Sequence, residues 1–88
     1  MTTEQLETEI LSAFREVLRK PDLTADDDFF SVGGDSLLAV EVSYTISESL
    51  GQEVDPLIVY VNPTATSCAS AVAEATTGDQ DGRDPHAR

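Results

Sequence analysis

Apolar side chains recur along much of the chain with the spacing of a helix. Leu6, Ile10, Phe14, Val17 and Leu18 fall at i, i+4, i+8, i+11 and i+12, which is one helical face. Thr2 and Gln5 have capping-box spacing at its start, and Arg15, Arg19 and Lys20 lie at the end where the macrodipole favours cations. Pro21 disfavours helical geometry in the residue before it, so the first helix is predicted over about residues 3–19. Leu38, Val42, Ile46 and Leu50 recur every four residues and predict a second helix starting at Ser36, with Asp35 as N-cap and Gly51 as C-terminal cap.

Between these helices, residues 21–35 form a long loop. Its Leu23, Phe29, Phe30 and Val32 suggest a loop pinned to the core, with a short helical turn near Thr24–Asp28. Asp55 followed by Pro56 can open a third element. The run Leu57-Ile58-Val59-Tyr60-Val61 has strand-like composition, but no other segment offers it a strand partner. It is therefore read as a short, mostly buried helical turn. Pro63 breaks it, and Thr64 can cap a last helix with Ala65, Cys68, Ala69, Val72 and Ala73 inward. Residues 77–88 carry no apolar period and read as a disordered tail, leaving a domain at 1–76. The expected fold is all-α: a four-helix bundle with a short third helix and a long loop between helices one and two.

Composition narrows the function. The chain has 88 residues, enough for one small domain that buries roughly 60–65% of its unfolded surface but houses no large catalytic cleft. Seventeen acids against five bases give a net charge of −12, and residues 21–82 contain no Lys or Arg. Such a surface disfavours nucleic acid and anionic membranes, and it suits either solubility or basic protein partners. One cysteine, Cys68, excludes an internal disulfide and a cysteine-based zinc site, and its place on the last helix reads as core. The longest apolar run, Leu57–Val61, is too short for a membrane span, and no basic-then-apolar signal follows Met1. A cytoplasmic monomer is expected.

The candidate chemistry lies in Asp28-Phe29-Phe30-Ser31-Val32-Gly33-Gly34-Asp35-Ser36-Leu37-Leu38. It sets a serine hydroxyl at a helix N-terminus, where unpaired N–H groups and the positive dipole end favour an attached phosphate. The paired glycines leave room for a large partner to approach. Ser36 can equally be an ordinary first-turn residue beside its cap. Gly34-Asp35-Ser36-Leu37 also spells the signature of a class of lipases and esterases, but the only histidine is His86 in the tail, and position 38 is Leu rather than the Gly of a nucleophile elbow. Calcium binding by Asp26, Asp27 and Asp28 fails because an EF-hand ligand position falls on Phe30. No metal site is expected, and the acidic run reads as a solvated loop.

Taken with the helix-two stripe ending at Leu50-Gly51, with Tyr60 and with Asn62-Pro63-Thr64, this segment resembles the acyl carrier protein family, and its Gly33-Gly34 pair the peptidyl carrier branch. The resemblance covers about residues 5–76. It implies a non-catalytic carrier with 4′-phosphopantetheine attached at Ser36, flanked by Gly34, Asp35 and Leu37. A phosphopantetheinyl transferase using coenzyme A and magnesium would attach the arm. An adenylating or acyl-loading enzyme would charge it, and condensing or tailoring enzymes of non-ribosomal peptide or hybrid polyketide synthesis would use the acyl, aminoacyl or peptidyl thioester. Met1 and the short polar tail suggest a freestanding, type II carrier. Beside the core stripe, Leu37, Val40, Glu41, Tyr44 and Glu48 share a neighbouring helical face that suits partner docking or forms the edge of the core. Val61 stands where relatives often carry a polar residue, adding an apolar contact, and Ser67 stands where an acid would strengthen the last cap. The alternative is a non-carrier acidic helical adaptor in which Ser36 is incidental.

Overall fold

The computed structural model describes residues 2–80. Helices α1 (Thr3–Leu18), α2 (Ser36–Leu50), α3 (Pro56–Val61) and α4 (Ala65–Gln80) follow one another with no strand among the described residues. No helix there is long and apolar enough to cross a membrane. Helix α1 packs against both α2 and α4, and α3 bridges α2 and α4.

Local chemistry accounts for the helix ends. The Thr2 hydroxyl accepts from the Gln5 amide at 3.1 Å, and the Gln5 side-chain oxygen accepts from the Thr2 amide at 2.9 Å. This is the anticipated capping box. Helix α1 ends where Arg19 takes a left-handed conformation, φ 59°, just before the Lys20–Pro21 junction where proline opposes helix. Gly51 ends α2 with φ 71°. Asp55 caps α3 by accepting from the Leu57 amide at 2.9 Å, with Pro56 opening the helix. Thr64 caps α4 by accepting from the Ser67 amide at 3.0 Å. Ser67 reciprocates, its hydroxyl accepting from the Thr64 amide at 3.3 Å, and so takes the place of the missing acid.

The core gathers Leu6, Ile10, Ala13 and Phe14 from α1, Ala39, Val42 and Ile46 from α2, Val59 from α3, and Ala65, Cys68, Ala69 and Val72 from α4. The loop contributes Leu23 and the fully buried Phe29, as its aromatics anticipate. Arg15 clamps that loop to α1: its Nε and Nη2 both donate to the Leu23 carbonyl, at 2.9 and 2.7 Å.

Three expectations need correction. The α2 stripe is buried only at its centre, where Ala39 and Ser43 join Val42 and Ile46, while Leu38 and Leu50 are half-buried. A four-residue repeat drifts by ~40° per step around a 3.6-residue helix, so its ends rotate off the core. The buried Ser43 hydroxyl donates to the Val40 carbonyl at 2.8 Å, so the seam leaves it satisfied. Second, α3 is helical as expected but not mostly buried: Val59 alone is buried, whereas Leu57, Tyr60 and Val61 are exposed. A six-residue helix lying on α2 and α4 has only one inward side. Third, the tail expected from residue 77 does not begin there, because α4 runs to Gln80. Thr76, Thr77 and Gly78 weaken a helix without the steric block of proline. The remainder of that expected tail, residues 81–88, lies outside the described residues. So does His86.

Candidate functional site

The loop ahead of Ser36 is built by its own carboxylates. Asp27 accepts from the Thr24 amide at 2.8 Å, and Thr24 O accepts from the Asp27 amide at 3.1 Å. This is the single turn expected near Thr24–Asp28, closed by one i→i+3 hydrogen bond and not continued into a helix. Asp28 Oδ1 accepts from the amides of Phe30 and Ser31, at 2.9 and 3.1 Å. Two of the three aspartates therefore shape the backbone rather than simply coating the loop. No cluster of His, Cys, Asp or Glu among the described residues is arranged to hold a metal ion.

Phe29 anchors the next turn. Its ring is fully buried and lies tilted against Phe14, centroids 5.0 Å apart. Its amide donates to the Pro63 carbonyl at 2.8 Å, and its carbonyl accepts from the Gly34 amide at 2.9 Å, closing a turn over residues 29–34. Gly33 needs its glycine for conformation, at φ 119°. Gly34 needs it for space: a Cβ there would overlap the Phe29 ring and stand 2.6 Å from the Phe29 carbonyl oxygen. The sequence suggested that the glycines admit a partner; the structure shows Gly34 admitting Phe29. Gly34→Ala is expected to cost about 1–3 kcal/mol through forced displacement of a packed ring and carbonyl. Gly51→Ala meets no atom within 4 Å and strains only its φ, so it should lose less. Urea unfolding of the two variants measures the difference, and equal losses would contradict the contact.

From this turn the chain enters α2 through Asp35, whose Oδ1 accepts from the Leu38 amide at 2.9 Å while its carbonyl accepts from the Ala39 amide at 2.8 Å. Ser36 is the first helical residue and is exposed. The amides of Ser36 and Leu37 come before Ala39, the first amide to donate to a backbone carbonyl at the start of α2, so an anion on the Ser36 oxygen would meet the positive end of α2. An exposed hydroxyl at a capped helix start, presented by a rigid turn, fits a covalent phosphodiester.

Exposed apolar side chains lie on α2 beyond Ser36 and on α3. Leu37 (70% exposed), Val40 and Tyr44 (66%) lie on α2, with Glu41 exposed among them. Leu57, Tyr60 and Val61 (68%) lie on α3. Leu37, Val40 and Tyr44 are thus surface, not core edge. The sequence reading missed Leu57 and Tyr60, although their i, i+3, i+4 spacing with Val61 marks one face of a short helix.

The model of the family described as "Phosphopantetheine attachment site" matches residues 8–72 of this chain. The chain belongs to that family. It is a family of carriers that are modified and loaded rather than of catalysts, so the adaptor and hydrolase alternatives fall. Over 69 residues, 78% of the chain, this carrier domain is 39% identical to vanchrobactin synthetase VabF of Vibrio anguillarum, and it spans 2% of that protein's length. A solved non-ribosomal PCP domain superposes with TM-score 0.68 at 30% identity, covering 80% of this chain and 87% of the other. BlmI, a type-II acyl carrier protein from Streptomyces verticillus, superposes with TM-score 0.79 over 84% of this chain and 89% of its own, at 20% identity, so it speaks to the fold alone. The prosthetic group of the carrier domain is therefore 4′-phosphopantetheine, held covalently.

A carrier of thioesters must keep stray thiols away from its cargo. Cys68 is fully buried, and burial pushes its thiol up to about 12. Since the thiolate is the nucleophile, it stays silent near neutrality. Native protein is expected to resist a thiol-specific reagent at pH 8 and to react stoichiometrically once unfolded in urea; rapid native labelling would contradict the burial. The raised value also sets a stability slope: the unfolded thiol ionises from about pH 9 and the folded one only near 12, so stability declines across that window.

Proposed function

We propose that Ser36 carries the arm and that this domain ferries acyl, aminoacyl or peptidyl thioesters between enzymes of non-ribosomal peptide or hybrid polyketide synthesis. The observation that carries the reading is the exposed Ser36 hydroxyl at the start of α2, immediately after the Asp35 cap. In loading, the Ser36 oxygen forms a bond to the phosphorus of coenzyme A next to the pantetheine. The pyrophosphate P–O bond breaks, adenosine bisphosphate leaves, and the hydroxyl proton passes to the transferase. Once attached, the arm supplies a terminal thiol for thioester formation. Gly34 holds the turn, Asp35 caps the helix and Leu37 borders the new phosphodiester.

The partners in this reading are a phosphopantetheinyl transferase, an adenylating or acyl-loading enzyme, and condensing or tailoring enzymes, acting on a cytoplasmic monomer. Leu37, Val40, Glu41, Tyr44 and Val61 form the face they use, widened by Leu57. The absence of Lys and Arg from residues 21–82 suits partners with basic rims. The pathway reading is supported by the likeness to a synthetase and to a non-ribosomal PCP domain.

The test is an intact mass after incubation with coenzyme A, magnesium and a broad-specificity transferase, followed by peptide mapping. One phosphopantetheine on the peptide containing Ser36 is expected. No addition, or an addition elsewhere, would overturn the assignment.

A further inference from the structure

Aromatic contacts run unbroken from the core to the exposed face of α3. Phe29 meets Phe14 inside, Phe30 meets Phe29 edge-on with centroids 5.1 Å apart and an interplanar angle of 84°, and Phe30 stacks on Tyr60 at 5.3 Å and 22°. Phe29 and Phe30 begin the turn closed by the Gly34 amide, from which Asp35 and Ser36 emerge. Tyr60 belongs to α3, which has only Val59 buried. The Phe29 amide also bonds to Pro63 O, two residues beyond α3, so the turn is tied to α3 at its Tyr60 side and just past its end.

We propose that Phe30 and Tyr60 are positioning residues: their stack clasps α3 to the 29–34 turn, fixing both how Ser36 is presented and where the apolar face of α3 stands relative to it. A short helix with one buried side chain is weakly held by the core alone. A face-on contact between two rings of different elements restricts its rotation and translation, which a lone apolar contact does not. A partner that seats on α3 then meets Ser36 at a set distance. Tyr60 is 43% exposed, so its replacement should leave the domain folded.

This inference rests on Ser36 as the attachment point, and its test separates the two. Wild type, Tyr60→Phe, Tyr60→Leu, Phe30→Leu and the double leucine variant are loaded by a transferase with coenzyme A, after circular dichroism confirms folding. Tyr60→Phe keeps the ring and should load within twofold of wild type. Tyr60→Leu keeps apolar bulk without a ring and should lose about fivefold in kcat/KM, mostly in kcat, as expected for lost positioning. Phe30→Leu should lose a similar factor, the double variant should lose no more than either single, and the Gly34 and Ser36 amide resonances should shift in each.

A loss confined to Tyr60→Leu and expressed in KM, with Phe30→Leu unaffected, would make Tyr60 a direct docking contact and overturn the clasp. Normal loading of all variants would overturn it too. Failure of wild type itself to load on Ser36 would overturn the attachment assignment and, with it, the role of the clasp in loading. If Phe30→Leu fails to fold, Tyr60→Leu against Tyr60→Phe, with the kcat and amide readouts, still decides the matter.

Discussion

Ser36→Ala is expected to fold as wild type does and to acquire no phosphopantetheine at all. The hydroxyl is exposed, and the capping of α2 is performed by the Asp35 carboxylate, so its removal should change stability by no more than about 0.5 kcal/mol. Its loss nonetheless removes the only atom of the residue able to form the phosphodiester. The effect on loading is therefore all-or-none, whereas changes to the surrounding face alter a rate. Ser31→Ala is the matched control: Ser31 is exposed in the same loop, and its amide, not its hydroxyl, makes the Asp28 contact. Intact masses of the three proteins after exhaustive loading check the point. An adduct on Ser36→Ala would remove Ser36 from the function.

Phe29→Ala is expected to be the most destabilising single change near the site. Its ring is fully buried, touches Phe14 and Phe30, and fills the space that Gly34 leaves. Phe→Ala in a core typically costs about 3–5 kcal/mol through lost burial and the cavity left behind. The whole stability of a domain this size is only about 4–13 kcal/mol, so about a quarter or more is at stake. Thermal unfolding should move down by about 15–30 °C. Loading should fall with it, because the turn that delivers Asp35 and Ser36 loses its anchor. A stability loss below about 1 kcal/mol would mean that the ring is not held as described.

These two residues differ in how readable they were. Ser36 stood out because a serine after two glycines and an aspartate, at the start of a periodic stretch, is a local pattern. Phe29 was readable as a pinned aromatic, but its dependence on Gly34 was not. That contact arises only when the turn closes and brings the ring against the glycine. In the sequence Asp27 and Asp28 look like a solvated acidic run, since charge alone does not tell which carboxylates accept from backbone amides. Val54 was overlooked because it is isolated in sequence from any apolar period. It is buried where the chain folds back on α2, its amide donating to Ser47 Oγ at 2.8 Å.

What the sequence determined by itself was the set of helices, their caps and the placement of a serine hydroxyl at the start of α2. Each is decided within about one helical turn: Thr2 with Gln5, Asp35 with Leu38, Asp55 with Pro56 and Leu57, Thr64 with Ser67. Tertiary structure alone decided how far neighbouring elements cover each apolar face. A helix presents all its faces equally until neighbours cover some of them, and the neighbours come from distant points in the chain. Thus α3, the most apolar run in the sequence, leaves Leu57, Tyr60 and Val61 exposed because α2 and α4 cover only the side that carries Val59. The same packing stacks Phe30 on Tyr60, thirty residues away, and joins the turn before Ser36 to the exposed face of α3.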